Sequence, residues 1–155
     1  MNVYTQLNEP SLDAESKWFP CLITEPTLDQ PIAGDQPILV THIDCVKHYQ
    51  HDIAPLLEQT VHCIGSITYD RLMEMGFKNL KIQGLVADDI KMNGQAIPNE
   101  VTWLHGNRYS KDFGKFNGVT AIQTFTTSIN NTSLYKVITT AKDITNWFVY
   151  SSLVL

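Results

Sequence analysis

Short apolar runs, each followed by a polar, helix-like stretch, constrain this chain more than any other feature. They are Ile38-Leu39-Val40-Thr41, Val61-His62-Cys63-Ile64, Leu80-Lys81-Ile82-Gln83 and Val101-Thr102-Trp103-Leu104, with a longer one over residues 119–125. Short apolar runs bounded by turn signals suit strands buried on both faces. Strand, helix, strand, repeated, implies right-handed crossovers. The expected class is therefore α/β, a mainly parallel sheet with helices on both faces. Helices are expected over 42–59 (bent or ended by Pro55), 66–75 (closed by Gly76), 86–92, 109–116 and 131–142 (capped by Asn131 or Thr132). A last strand is expected at 147–150. The Pro-rich first 36 residues read as irregular chain with one or two short strands around 19–24, and Asn93-Gly94 as a loop.

Two of the strand ends share a pattern. Cys63-Ile64 runs into Gly65-Ser66-Ile67-Thr68, and Trp103-Leu104-His105 into Gly106-Asn107-Arg108. A strand that passes through Gly into a helix start leaves backbone N–H groups open at the strand's carboxyl end, where they favour anions. Two such turns suggest a cleft that collects negative groups.

The whole-chain charge opposes that preference. The net charge is −5, with only 11 Lys plus Arg in 155 residues. Counterion release then favours no nucleic-acid partner. Any anion must be held by local dipoles and a few cations. No apolar run is long enough for a membrane span, and residues 1–6 lack a secretory signal's basic and apolar segments. Three cysteines, Cys21, Cys45 and Cys63, have no framework spacing and fit a reduced, cytoplasmic setting. The overlapping sequons of Asn130-Asn131-Thr132-Ser133 are read as chance.

Other clusters resolve into bland readings. His42, Cys45, His48 and His51 recur every third residue. On a helix each would lag the last by about 60°, so the four fan over half the circumference and no metal is expected. Gly65-Ser66-Ile67-Thr68 has one Gly where a dinucleotide loop needs three, so no such cofactor is expected. Asp88 and Asp89 point about 100° apart on a helix and read as a solvated helix start. His62 and Cys63 face opposite sides of one strand. Trp103, Phe125, Trp147 and Phe148 read as core. No nucleophile-and-base set can be assembled.

Placed in order, these pieces resemble uroporphyrinogen-III synthase. That family's V-G-x-x-T-A turn is similar to Cys63-Ile64-Gly65-Ser66-Ile67-Thr68, and its helix ending in G-F to Gly76-Phe77. Its L-R-G-N segment is similar to Leu104-His105-Gly106-Asn107, and its D-x-V-x-F-x-S strand to residues 144–151. The resemblance runs from about Phe19 to Ser151. It implies two α/β lobes around a cleft and no cofactor. The implied activity closes the linear tetrapyrrole hydroxymethylbilane to uroporphyrinogen III with loss of water. Gly65, Ser66, Thr68, Gly106, Asn107, Arg108 and Ser151 would line the substrate site. The implied protein is a cytoplasmic monomer with neither nucleic-acid nor membrane partner. Its lobes would be 1–36 with 126–155, and 37–125, the first incomplete because the family continues past this chain's end. Three departures stand out. Phe125 occupies the place of the family's linker tyrosine, His42 that of a serine, and His105 that of the Arg in L-R-G-N. No catalytic residue is assigned. A non-catalytic α/β binding module that keeps the fold without the chemistry is the alternative. A metal-binding regulator built on residues 42–51 is the third reading.

Overall fold

The computed structural model describes residues 2–4, 12, 14, 16–92 and 96–148. In chain order the strands are β1 (Asn2–Tyr4), β2 (Ser16–Trp18), β3 (Leu22–Pro26), β4 (Ile38–Val40), β5 (Thr60–Cys63), β6 (Asn79–Ile82), β7 (Val101–Gly106), β8 (Val119–Ile129) and β9 (Asn146–Phe148). The α-helices are α1 (Asp44–Lys47), α2 (Ser66–Glu74) and α3 (Asn131–Thr139). The chain divides into two compact units, 1–24 with 127–155, and 25–126. The boundaries fall inside β3 and β8, and residues 25–36 belong with the second unit.

The first unit holds a sheet ordered β2-β1-β9, with both pairings parallel. Cys21 and Val137 of α3 form a small buried nucleus with Phe19, Leu134 and Ile144 packed against it. The α3 cap is Asn130, one residue before the expected position. Its side chain accepts from Ser133 N (3.2 Å) and its own N–H donates to Cys21 O (2.7 Å).

The larger sheet is ordered β3-β8-β7-β4-β5-β6. From β8 through β6 every neighbour is parallel. β3 and β8 run antiparallel: Asn130 N–H donates to Cys21 O at one end and Thr27 N–H to Thr124 O at the other. β4 is central and wholly buried, as its uninterrupted Ile38-Leu39-Val40 demands. Alternate side chains along the strands feed two cores. Ile38, Val40, Val61, Cys63, Leu104, Ile122 and Phe125 pack under α1 and α2 on one face. Leu39, Val101 and Trp103 pack with Ile90, Ile97 and Phe113 on the other. The α/β class thus holds, with α-helices covering one face and short 3-10 turns and loops the other.

Three helix expectations need correction in extent. Residues 42–59 form only the one-turn α1 and a 3-10 turn at Ala54–Leu56. Residues 86–92 carry only a 3-10 turn at Ala87–Asp89. Residues 109–116 carry only one at Phe113–Lys115, where Asp112 Oδ1 accepts from Gly114 N (3.0 Å). A short polar side chain that takes a local N–H competes with helix continuation. The Asn93-Gly94 loop and residues 149–150 of the expected last strand lie outside the described residues.

Candidate active site

The strand order locates the site before any side chain is considered. From β4 the chain steps to β5 and β6 in one direction, then returns to β7 on the other side of β4. Its connections cover opposite faces before and after that return. The carboxyl ends of β4 and β7 therefore flank a topological switch point, where open α/β sheets leave a crevice for ligands.

Register places named residues at this edge. Val40 pairs with Cys63 on one side and Leu104 on the other. Gly106, His42 and Gly65 each lie two residues beyond that row. Gly65 and Gly106 are two strand spacings apart, about 10 Å. The two Gly turns that the sequence singles out thus leave the same sheet edge, with His42 between them.

Their local structures differ. Gly65 takes φ 75° at the start of α2, and no side chain caps that helix. Its first-turn N–H groups have no intrahelical partner, as at any helix start. Ser66 is exposed there, whereas Thr68 is buried on the inner side of α2, one turn before fully buried Leu72. The Thr68 hydroxyl is therefore not presented at the open edge, and only its N–H belongs to the helix start. At the other turn no α-helix follows, which removes the expected helix dipole from Gly106-Asn107-Arg108. The Asn107 N–H is already committed to Phe125 O (3.1 Å). What remains there is side-chain chemistry, with Asn107 and Arg108 both exposed. Ser151 lies outside the described residues.

A β-bulge shapes the β7 end. His105 pairs with Gln123 but Gly106 with Phe125, so Thr124 is the extra residue. A Cβ on Gly106 would meet the Phe125 ring at 2.6 Å, so only glycine fits beneath that ring. Phe125 is buried and its ring stacks on His48 (centroids 5.6 Å, 30°). On the other face Trp103, His105, Tyr109 and Phe113 form an aromatic group. His105 stacks on Trp103 (4.3 Å, 26°), with Tyr109 edge-on to both rings (5.1 and 5.5 Å). His105 Nδ1 lies 2.8 Å from Gly106 O.

The four residues of the possible metal cluster go to separate partners. His42 Nδ1 accepts from Asp44 N (3.2 Å), and Cys45 is buried with its thiol pushed up to about 12 by desolvation. His48 meets Phe125. His51 Nε2 lies 2.8 Å from Asp29 Oδ1 and 3.3 Å from Asp29 O. Among the described residues no three His, Cys, Asp or Glu side chains are placed to share an ion. The expectation of a single helix fanning them out does not apply, since the helix stops after Lys47. The site residues that motif reading left unassigned are His42 and His105. Their signal is positional, at the ends of the two strands where the winding reverses.

No protein-family sequence profile and no curated protein sequence matches the chain. Among solved structures it is similar to uroporphyrinogen-III synthetase from Helicobacter pylori 26695. The TM-score is 0.56 and the identity 10%, over 83% of this chain and 62% of that one. At that identity the likeness establishes a shared fold. The chain spans less than two thirds of that structure's length. Among the described residues no helix is long and apolar enough to cross a membrane.

Proposed function

We propose that this chain is a uroporphyrinogen-III synthase-like protein that binds a linear tetrapyrrole at the carboxyl ends of β4, β5 and β7. The observation that carries this reading is the fold likeness over 83% of the chain to a uroporphyrinogen-III synthetase. It is supported by the switch point, which is where such a fold would place its ligand. Hydroxymethylbilane carries eight carboxylates. The open start of α2 supplies the Ser66 and Thr68 N–H groups for them, while Gly65, whose own N–H donates to Gly84 O (2.9 Å), is proposed to shape the turn. Arg108, beside Gly106 and Asn107, supplies a planar cation that can pair with a carboxylate through two hydrogen bonds. Ser151 is proposed as a further contact. The chemistry needs a flexible chain folded so that its ends meet, and help for a departing hydroxide. No metal or organic cofactor is required, and the cytoplasm is the proposed compartment.

The test adds hydroxymethylbilane and separates the type III product from the type I isomer that forms without an enzyme. Type III above the uncatalysed background is expected. A folded protein that yields only type I would end the catalytic reading. The alternative, a binding module without turnover, is favoured by Phe125, a buried ring with no proton to give where the family has a phenol. It predicts that uroporphyrinogen binds, that Arg108→Ala weakens binding, and that type I remains the product.

A further inference from the structure

We infer that His105 is the general acid of the candidate site, its Nε2 giving the proton that lets the substrate hydroxyl leave as water. The inference rests on the proposed reading and assigns the group that the reading leaves open. Hydroxide is a poor leaving group at neutral pH, so losing it from a hydroxymethyl carbon calls for a placed proton donor. Phe125 supplies none. The sheet edge at the switch point holds two histidines, His42 after β4 and His105 on β7.

Geometry favours His105. Its Nδ1 lies 2.8 Å from Gly106 O, a carbonyl that can only accept, so Nδ1 carries a hydrogen. That leaves Nε2 as the nitrogen that gains and loses the exchangeable proton. The ring is held in place by the Trp103 face at 4.3 Å and the Tyr109 edge at 5.5 Å. Trp103 is itself wholly buried, so the support is rigid, while His105 is only half-buried. His42, by contrast, is mostly exposed and turns Nδ1 back to its own backbone at Asp44 N. The charged or titratable groups around His105 are Tyr109 at its edge, Arg108 in the same segment, and His42 beyond the neighbouring strand. Lys111 is tied to Ile90 O (3.0 Å) and lies over the Phe113 ring.

The step balances. The C–O bond of the hydroxymethyl group breaks, its electron pair staying on oxygen. Oxygen takes the Nε2 proton and leaves as water. The positive charge passes to the pyrrole-methylene unit and His105 becomes neutral. Ring D is inverted on the way to type III: its bridge-bearing carbon attacks first, the old bridge bond then breaks, and the ring's free α carbon re-forms that bond and gives its proton to Nε2, which restores the imidazolium.

The experiment compares wild-type protein with His105→Phe, which keeps a ring against Trp103, and His105→Gln, which keeps a polar side chain. Type III formation is followed from pH 5 to 9, together with melting temperature. Both variants are expected to stay folded and to lose roughly 100-fold or more in kcat, with KM little changed. The wild-type fall in kcat with rising pH should vanish in both. Type III formation by both variants within about threefold of wild type, with the pH profile unchanged, overturns the assignment and leaves the proposed function standing. A folded wild-type protein that makes no type III product overturns the proposed function, and the assignment with it. If the variants melt early, nitrogen-15 NMR of the wild-type imidazole decides, since a neutral His105 bearing its hydrogen on Nε2 contradicts the geometry.

Discussion

At the scale of single residues, burial sets reactivity. Cys45 and Cys63 lie inside the main core, and desolvation pushes their thiols up to about 12 and about 11. Cys21, buried in the smaller unit, is raised by the same cause. Since only the thiolate reacts, native protein at pH 8 should be almost inert to a thiol-specific reagent, while denaturant should release all three groups quickly. Rapid labelling of native protein would contradict the placement of these strands. His62 shows the complementary effect. It is buried, its Nδ1 is bonded to Gln83 Nε2 (2.9 Å), and burial, helped by Lys81, lowers its pKa below 6.5. The folded protein thus binds fewer protons there than the unfolded chain. Stability from this residue is full above about pH 6.5 and falls as pH drops toward the folded value, by at most about 1.4 kcal/mol per pH unit. His62→Gln should flatten that acid limb in denaturant titrations at pH 7, 6 and 5.

At the scale of elements, the larger sheet and the helices α2 and α3 were legible, and the segments after β4, β6 and β7 were not. Apolar runs with Gly or polar ends located β4, β5, β6 and β7 within two residues, because a buried central strand has few other ways to be written. α2 was legible for a similar reason, with Gly65 and Gly76 marking its ends. The segment after β4 was not, because tertiary partners outbid its helical spacing. Asp29, with a wholly buried carboxylate, draws in His51 and accepts from Gln50 N (3.3 Å). Tyr49 Oη accepts from Ile32 N (2.8 Å). Together they bind residues 49–51 to the 29–32 loop, and no local pattern announces a partner some twenty residues away. His51→Ala leaves that carboxylate buried and short of a partner, so it should cost about 1–3 kcal/mol. Asp29→Asn should cost less, because a neutral amide needs no counter-charge. Urea denaturation of both variants checks the order. The site was legible only in part. The Gly turns were visible as motifs. That both belong to one sheet edge depends on strand order, which no local spacing encodes, and the missing helix after Arg108 depends on Asp112 and the rings around Trp103.

At the scale of the molecule, the larger unit is one unbroken stretch of chain and the smaller one is built from both ends. A fragment of residues 22–129, which retains all of β3 and β8, should therefore fold alone. It should show a single cooperative thermal transition and native-like protection of amides in β4, β5 and β7. A fragment that stays unfolded would mean that the terminal segments are needed for the larger core.

The pairing of β1 with β9 has a consequence for time as well as space. Asn2 lies beside Asn146, and Val3 beside Trp147. On a ribosome β1 emerges before the larger sheet, yet its partner β9 is made after that whole sheet has had its chance to form. β1 can find β2 early, but the three-stranded ribbon stays open on one side until β9 has been made. Closing it joins residues more than a hundred positions apart, a contact of the kind that slows folding. Newly made chains should thus pass through a stage with the larger sheet formed and the smaller one still open, and that stage is where a chaperone or a protease would meet this protein.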